Sequence, residues 1–174
     1  MSFPLSRLAP LAAMALLAGC AASADRQAPA CPVLARLPDA STLTRYAGPG
    51  RDLRDLVLSA SIAQVPATCA EADAGHVRAS LQVVVDLQRG PAATSAAAEV
   101  TYFVALVDAG GVRDEQDYRV VGTFPPNVDN REVTSAPVEL LLPVTPQKSA
   151  AAYRIFVGFR LSPEELEANR KATQ

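Results

Sequence analysis

The sequence predicts an all-β fold, an antiparallel, immunoglobulin-like β-sandwich of six or seven strands closed by one short C-terminal helix. Three observations carry that expectation. Apolar residues recur at a period of two in several separate segments, as in strands with one dry and one wet face. Proline and glycine punctuate the chain between those segments. No amphipathic helical pattern lies between the strands, which argues against a parallel α/β sheet. A small barrel is the rival arrangement.

Pro32 and Val33 open the folded part, which is expected to span residues 31–174. Leu34 to Leu43 is apolar but irregular, with Pro38-Asp39 as a turn, and Gly48-Pro49-Gly50 marks a loop. Leu56, Leu58, Ala60 and Ile62 then alternate with Val57, Ser59, Ser61 and Ala63, ending before Pro66. The polar stretch from Glu71 to Gly75, with His76 behind it, reads as a loop. Val77 to Leu87 is the cleanest strand: Val77, Ala79, Leu81, Val83, Val85 and Leu87 share one face.

Val100 to Val107 is apolar on both faces except at Thr101, so it is expected at the centre of a sheet. Asp108-Ala109-Gly110-Gly111 suits a tight hairpin, where glycine tolerates a positive φ. Tyr118 to Phe124 is a further strand, stopped by Pro125-Pro126, and Asn127 to Asn130 is a polar loop. Glu132 to Leu142 follows, with Pro137 implying an edge position or a bulge. Tyr153, Ile155, Val157, Phe159 and Leu161 alternate with Ala152, Arg154, Phe156, Gly158 and Arg160. Ser162 is a good N-cap, Pro163 fits the first helical turn and Glu165 completes a capping box, with Leu161 and Leu166 at the staple positions.

The N-terminal stretch has a different character. Met1 to Arg7 carry one basic side chain and no acid, and Leu8 to Leu17 form an apolar run broken only by Pro10. Ten helical residues span about 15 Å, half the thickness of a bilayer core, so the run is too short to cross a membrane. It ends in Leu17-Ala18-Gly19-Cys20, which resembles a bacterial lipobox. The resemblance implies a signal peptide over residues 1–19, cleavage before Cys20 and a lipid on its sulfur, with palmitate among the acyl groups. Ala21 after the cysteine implies an outer-membrane anchor facing the periplasm. Residues 20–30 would form the lipidated tether; Ala21 to Ala30 hold no large apolar group and reach about 17 Å. Tyr102 to Asp108 and Val157 to Arg170 are similar to segments of uncharacterised proteobacterial envelope lipoproteins, a resemblance that carries no activity.

A mature chain of 155 residues is one ordinary domain, large enough to bury roughly 68–70% of its unfolded surface. Its charges nearly balance and form no basic stripe, so nucleic acid is not expected as a partner. With Cys20 taken by the lipid, Cys31 and Cys69 remain as an even pair in an oxidising compartment, and a disulfide between them is expected. Free thiols or a metal pair are the alternatives, but no C-x-x-C spacing or neighbouring histidine supports a metal.

Candidate chemistry is sparse. His76 is the sole histidine, no G-x-S-x-G accompanies it, and an exposed loop histidine is the default reading. Asp114, Glu115 and Asp117 lack the spacing of a calcium loop and read as a solvated hairpin flank. Glu164, Glu165 and Glu167 suit the positive end of the helix dipole. No glycine-rich phosphate loop occurs, and no cofactor is expected. Tyr102, Phe103, Tyr153, Phe156 and Phe159 are core residues by default, but Phe156 shares its face with Arg154 and Arg160. That trio is the candidate contact face. The expectation is therefore a non-enzymatic lipid-anchored envelope protein that contacts another envelope protein. A carrier of a small apolar ligand held between the sheets is the second expectation. An accessory lipoprotein of a trans-envelope secretion or transport machine is a variant of the first.

Overall fold

The computed structural model describes residues 29–172, so the lipobox and most of the tether lie outside the described residues. The described residues form an all-β sandwich with one α-helix. One layer, sheet A, contains β1 (Val33–Arg36), β7 (Ala97–Asp108), β8 (Gly111–Thr123) and β11 (Arg154–Phe159), in the order β1-β11-β7-β8. The other layer is a pair of sheets that continue one another. Sheet B runs β2 (Thr42–Tyr46), β3 (Leu56–Gln64), β6 (Val84–Arg89) and β9 (Asn130–Thr134), and sheet C runs β10 (Val138–Pro143), β5 (His76–Leu81) and β4 (Ala67–Asp73). Helix α1 (Pro163–Ala172) closes the chain.

Among the described residues there are eleven strands where six or seven were expected, and two physical reasons account for the difference. The first is a shared bend. Pro66 separates β3 from β4 and Pro137 separates β9 from β10. Neither proline can donate to a ladder. The strand lying between them, read from the sequence as continuous over Val77 to Leu87, therefore breaks at Gln82-Val83 although it contains no proline. Its alternation survives the break: Val77, Ala79, Leu81, Val83, Val85 and Leu87, the expected dry face, are all buried. Ser135 repairs the joint: its hydroxyl accepts from the Val83 N–H at 2.9 Å and donates to the Ala136 carbonyl at 2.8 Å. Its own N–H donates to the Val83 carbonyl at 2.9 Å.

The second reason is that β1, β2 and β4 lack a clear alternation. Strand β4 includes the Glu71 to Asp73 segment expected to be a loop, and the turn proper is Ala74-Gly75, with Gly75 at φ 105°. His76 thus begins β5. Strand β1 runs parallel to β11, the one parallel strand pairing among the described residues. Strand β7 is central, as its two apolar faces imply, and β9 and β10 are both edges, as Pro137 implies.

Alternate residues of all three sheets meet in one core, filled by Tyr102, Phe159, Leu43, Ile62, Leu81, Leu87, Leu142 and Ile155 among others. The layers are also joined covalently. Cys31 and Cys69 form a disulfide with Cα atoms 5.8 Å apart, tying the lead-in to β1 onto β4. The capping box of α1 is formed in both directions. The Ser162 N–H donates to Glu165 Oε2 at 2.7 Å, and the Glu165 N–H donates to Ser162 Oγ at 3.2 Å. Glu165 also accepts from Arg45 Nε of β2 at 3.3 Å, and Asn169 Nδ2 donates to the Asp39 and Thr42 carbonyls, each at 2.8 Å. The helix therefore packs along the outer edge of β2.

Candidate functional site

The outward face of sheet A brings the three predicted contact residues into one column, because residues two apart on a strand share a face. Arg154 stands between Val33 of β1 and Val107 of β7, and Phe156 between Ala35 and Ala105. Gly158 lies opposite Phe103. Small neighbours on both sides leave the Phe156 ring half-buried rather than enclosed. Phe103 is also half-buried on this outward face, so its expected place in the core is corrected, whereas Tyr102, Tyr153 and Phe159 are core residues. An apolar strip of Val33, Ala35, Phe156, Ala105 and Phe103 results, with Val33 57% exposed.

The two arginines of the face differ in their commitments. Arg160 lies over the Phe103 ring at 4.7 Å. Its guanidinium also donates to Asp117 and to Glu115, each at 2.5 Å, and these carboxylates raise its pKa further above the ordinary arginine value. The acidic cluster expected to be a solvated flank is thus exposed, with two of its three members holding Arg160 in place. Arg154 is exposed and carries no ion pair among the described residues.

Below Phe103 the face opens into a groove of about 480 Å³ that sequence reasoning missed. Leu37, Pro38, Phe103, Phe159, Leu161 and Leu166 form its apolar walls, with Arg160, Arg170 and Asp39 at the rim. It exists because α1 and the 3₁₀ turn Pro38–Ala40 stand side by side on the end of sheet A. Gly158 lets that turn approach: a Cβ there would lie 2.9 Å from the Ala40 Cβ and 3.1 Å from the Phe103 ring. Leu166 was a visible signal for one wall, but the opposite wall comes from a segment more than 120 residues away in sequence.

The most heavily paired carboxylate lies elsewhere. Asp108 has a side chain only 4% exposed and accepts from Arg113 Nε at 2.7 Å, Lys148 Nζ at 2.6 Å and the Gly110 N–H at 2.8 Å. Arg113, then Lys148, hold its pKa far below the usual carboxylate range. Lys148 also sits over the Tyr153 ring at 4.0 Å. This cluster joins the β7–β8 hairpin to the Thr145–Lys148 turn, and every charge in it is engaged. His76 Nδ1 pairs with Asp73 Oδ1 at 2.7 Å across an exposed hairpin base. Among the described residues no group of three or more metal-ligating side chains converges. No family model, curated protein or solved structure matches the chain.

Proposed function

We propose that this protein is a lipid-anchored envelope lipoprotein whose sandwich contacts another envelope protein through the outward face of sheet A, without performing catalysis itself. Cys20 carries the lipid on this reading, and the tether from Ala21 to Ala30 holds the domain near the outer-membrane surface. The observation that carries the contact is the pairing of the half-buried rings of Phe156 and Phe103 with an uncommitted guanidinium on Arg154. Aromatic residues and arginine concentrate the binding energy of protein interfaces. Arg160 fixes the Phe103 ring from above and is neutralised by Glu115 and Asp117, which leaves Arg154 to select an acidic residue on the partner.

The groove favours a second reading, a carrier of a small apolar molecule. The space between the layers is filled by Tyr102, Phe159 and their neighbours, so such a ligand would lie in the groove rather than between the sheets.

Two measurements test the first reading. Cys20→Ala is expected to move the protein to the soluble fraction or leave it uncleaved, and an unmodified Cys20 in the mass of the native protein refutes the anchor. A photocrosslinking residue at position 156 in cells is expected to give one discrete adduct that Arg154→Glu abolishes, while position 132 gives none. Equal adducts at both positions, or none at 156, refute the contact face.

A further inference from the structure

The outward face of sheet A is built in rows set by the strand registers. Val33, Arg154, Val107 and Val112 form the first row. Ala35, Phe156 and Ala105 form the second, Gly158 and Phe103 the third, and the groove lined by Leu37, Leu161 and Leu166 lies beyond. Val33 and Val112, at the two ends of the first row, are 57% and 62% exposed. Exposed valines continuous with two half-buried rings and an apolar groove mark an interaction surface rather than scattered exposure.

Charge narrows the occupant. Among the described residues only Arg131 and Arg154 are arginines without a carboxylate, carbonyl or ring partner. Arg131 lies between Asn130 and Glu132 on β9, whereas Arg154 is set among valines. The acids bordering the face, Glu115 and Asp117, are spent on Arg160. The cation left for an incoming group is therefore at the far end of the strip from the groove, and it calls for a carboxylate.

Backbone supply decides the form of that occupant. Strands β11 and β7 are each paired on both sides, so the face offers side chains but no free N–H or C=O groups. An extended segment laid on it would bury unpaired backbone, whereas a helix satisfies its own. The dimensions agree. Rows two residues apart on a strand are separated by ~6.6 Å, so Arg154 and the Gly158 row lie ~13 Å apart. Four helical residues rise ~6 Å and eight rise ~12 Å.

We propose that this face receives an amphipathic helix of another protein, with an acidic residue at position i on Arg154, an apolar residue at i+4 over Phe156 and a second at i+8 in the groove. The acid lies toward the helix N-terminus, where the dipole favours it. The chain's own helix cannot serve in a second copy, because Leu166 is its only large apolar residue. The inference rests on the reading of this face as the contact surface and adds the groove to it as the seat of the second anchor.

The test uses the mature chain with Cys20→Ala, disulfide intact, and an alanine–glutamine helical peptide of about 20 residues carrying Glu at i and Leu at i+4 and i+8. Binding is expected to saturate below about 1 mM, the affinity class of a small interface. Arg154→Glu should weaken it about tenfold, and a peptide with Lys at i should restore binding to that variant. A diazirine-bearing leucine at i+8 should crosslink to Leu37, Leu161 or Leu166, and one at i+4 to Phe156 or Ala35. A scrambled peptide, or one with Gln at i, that binds as tightly as the designed one would overturn the proposal, since the face would then take apolar groups without regard to spacing or charge. So would i+8 adducts outside the groove, or a dimer of the protein alone that Arg154→Glu dissociates, which would make the occupant a second copy. If the peptide fails to bind while position 156 still gives its adduct in cells, the helix is refuted and the contact face stands; if both fail, the contact face falls as well.

Discussion

Ser135→Ala tests whether the bend shared by the three long strands is held by a single hydroxyl. Ser135 is 6% exposed and Val83 is fully buried, so the Val83 N–H has no route to water when the hydroxyl is removed. Leaving a buried donor unsatisfied costs roughly 1–3 kcal/mol, and the middle of that range, about 2 kcal/mol, is the expected loss. At roughly 2–4 °C per kcal/mol for a domain of this size, the melting temperature should fall by about 4–8 °C. The backbone pairing from the Ser135 N–H to the Val83 carbonyl remains, so the fold should survive. Gln82→Ala is the internal control. It removes a bond from Nε2 to the Ser135 carbonyl at a half-buried position, and its cost should stay near 0.5–1 kcal/mol. Paired thermal and denaturant unfolding of the three proteins measures both effects. A Ser135→Ala protein within about 0.5 kcal/mol of wild type, the ordinary scatter of surface substitutions, refutes the assignment.

Further expectations follow from the other ties. Replacing Cys31 and Cys69 together by serine opens a 38-residue loop and should cost about 4 kcal/mol in denaturant unfolding, and unchanged stability would show that the bond merely decorates the fold. Ser162→Ala removes one half of the capping box and should cost ~1 kcal/mol, read from the unfolding midpoint, with Glu165→Ala adding the loss of the Arg45 contact. Asp108 has a depressed pKa in the folded state, so its contribution is complete above the ordinary carboxylate value near 3.9 and declines as pH falls below it. The stability gap between wild type and Asp108→Asn should therefore be constant from pH 7 to about pH 5 and narrow below about pH 4; a gap that widens on acidification would contradict the pairing.

Legibility in the sequence tracked how strongly one face of a strand is committed to the core. Strand β3 and the β5–β6 pair were readable because Leu56 to Ile62 and Val77 to Leu87 place an aliphatic or alanine side chain inward at every second residue. Strand β4 was not, since Ala67, Thr68, Ala70 and Glu71 are exposed and leave no alternation to detect. The break at Gln82-Val83 is invisible locally because its cause, the two prolines, sits on the neighbouring strands. The outward face of sheet A was partly legible: Arg154, Phe156 and Arg160 share a column as their spacing requires. Phe103 was hidden by the very feature that placed β7 at the sheet centre, apolar residues on both faces. The Asp108 cluster was hidden for a different reason. Arg113 is five residues from Asp108 and Lys148 is forty, and nothing in a turn motif announces which distant cation it will meet.

The distribution of ion pairs separates what is rigid from what is available. Along α1, Arg170 meets Asp39 at 3.3 Å beside the groove and Arg45 meets Glu165 at 3.3 Å on β2, joining the helix to the elements beneath it. On the outward face of sheet A, Arg160 is held by two carboxylates and a ring. Exposed pairs of this kind contribute only about 0–1 kcal/mol each to stability, so their chief effect is on geometry and charge. A partner approaching the face finds Arg160 already neutralised, and recruiting it would first require breaking two short contacts. Arg154 requires no such rearrangement. Its neighbours Val33 and Val107 are apolar, so a carboxylate brought against it would be partly desolvated, where a charge-assisted bond gains most. Selectivity on this face should therefore reside in Arg154 and adhesion in Phe156, with Arg160 acting to hold Phe103 flat. A binding partner that loses affinity more on Arg160→Ala than on Arg154→Ala, in side-by-side titrations, would invert that division of roles.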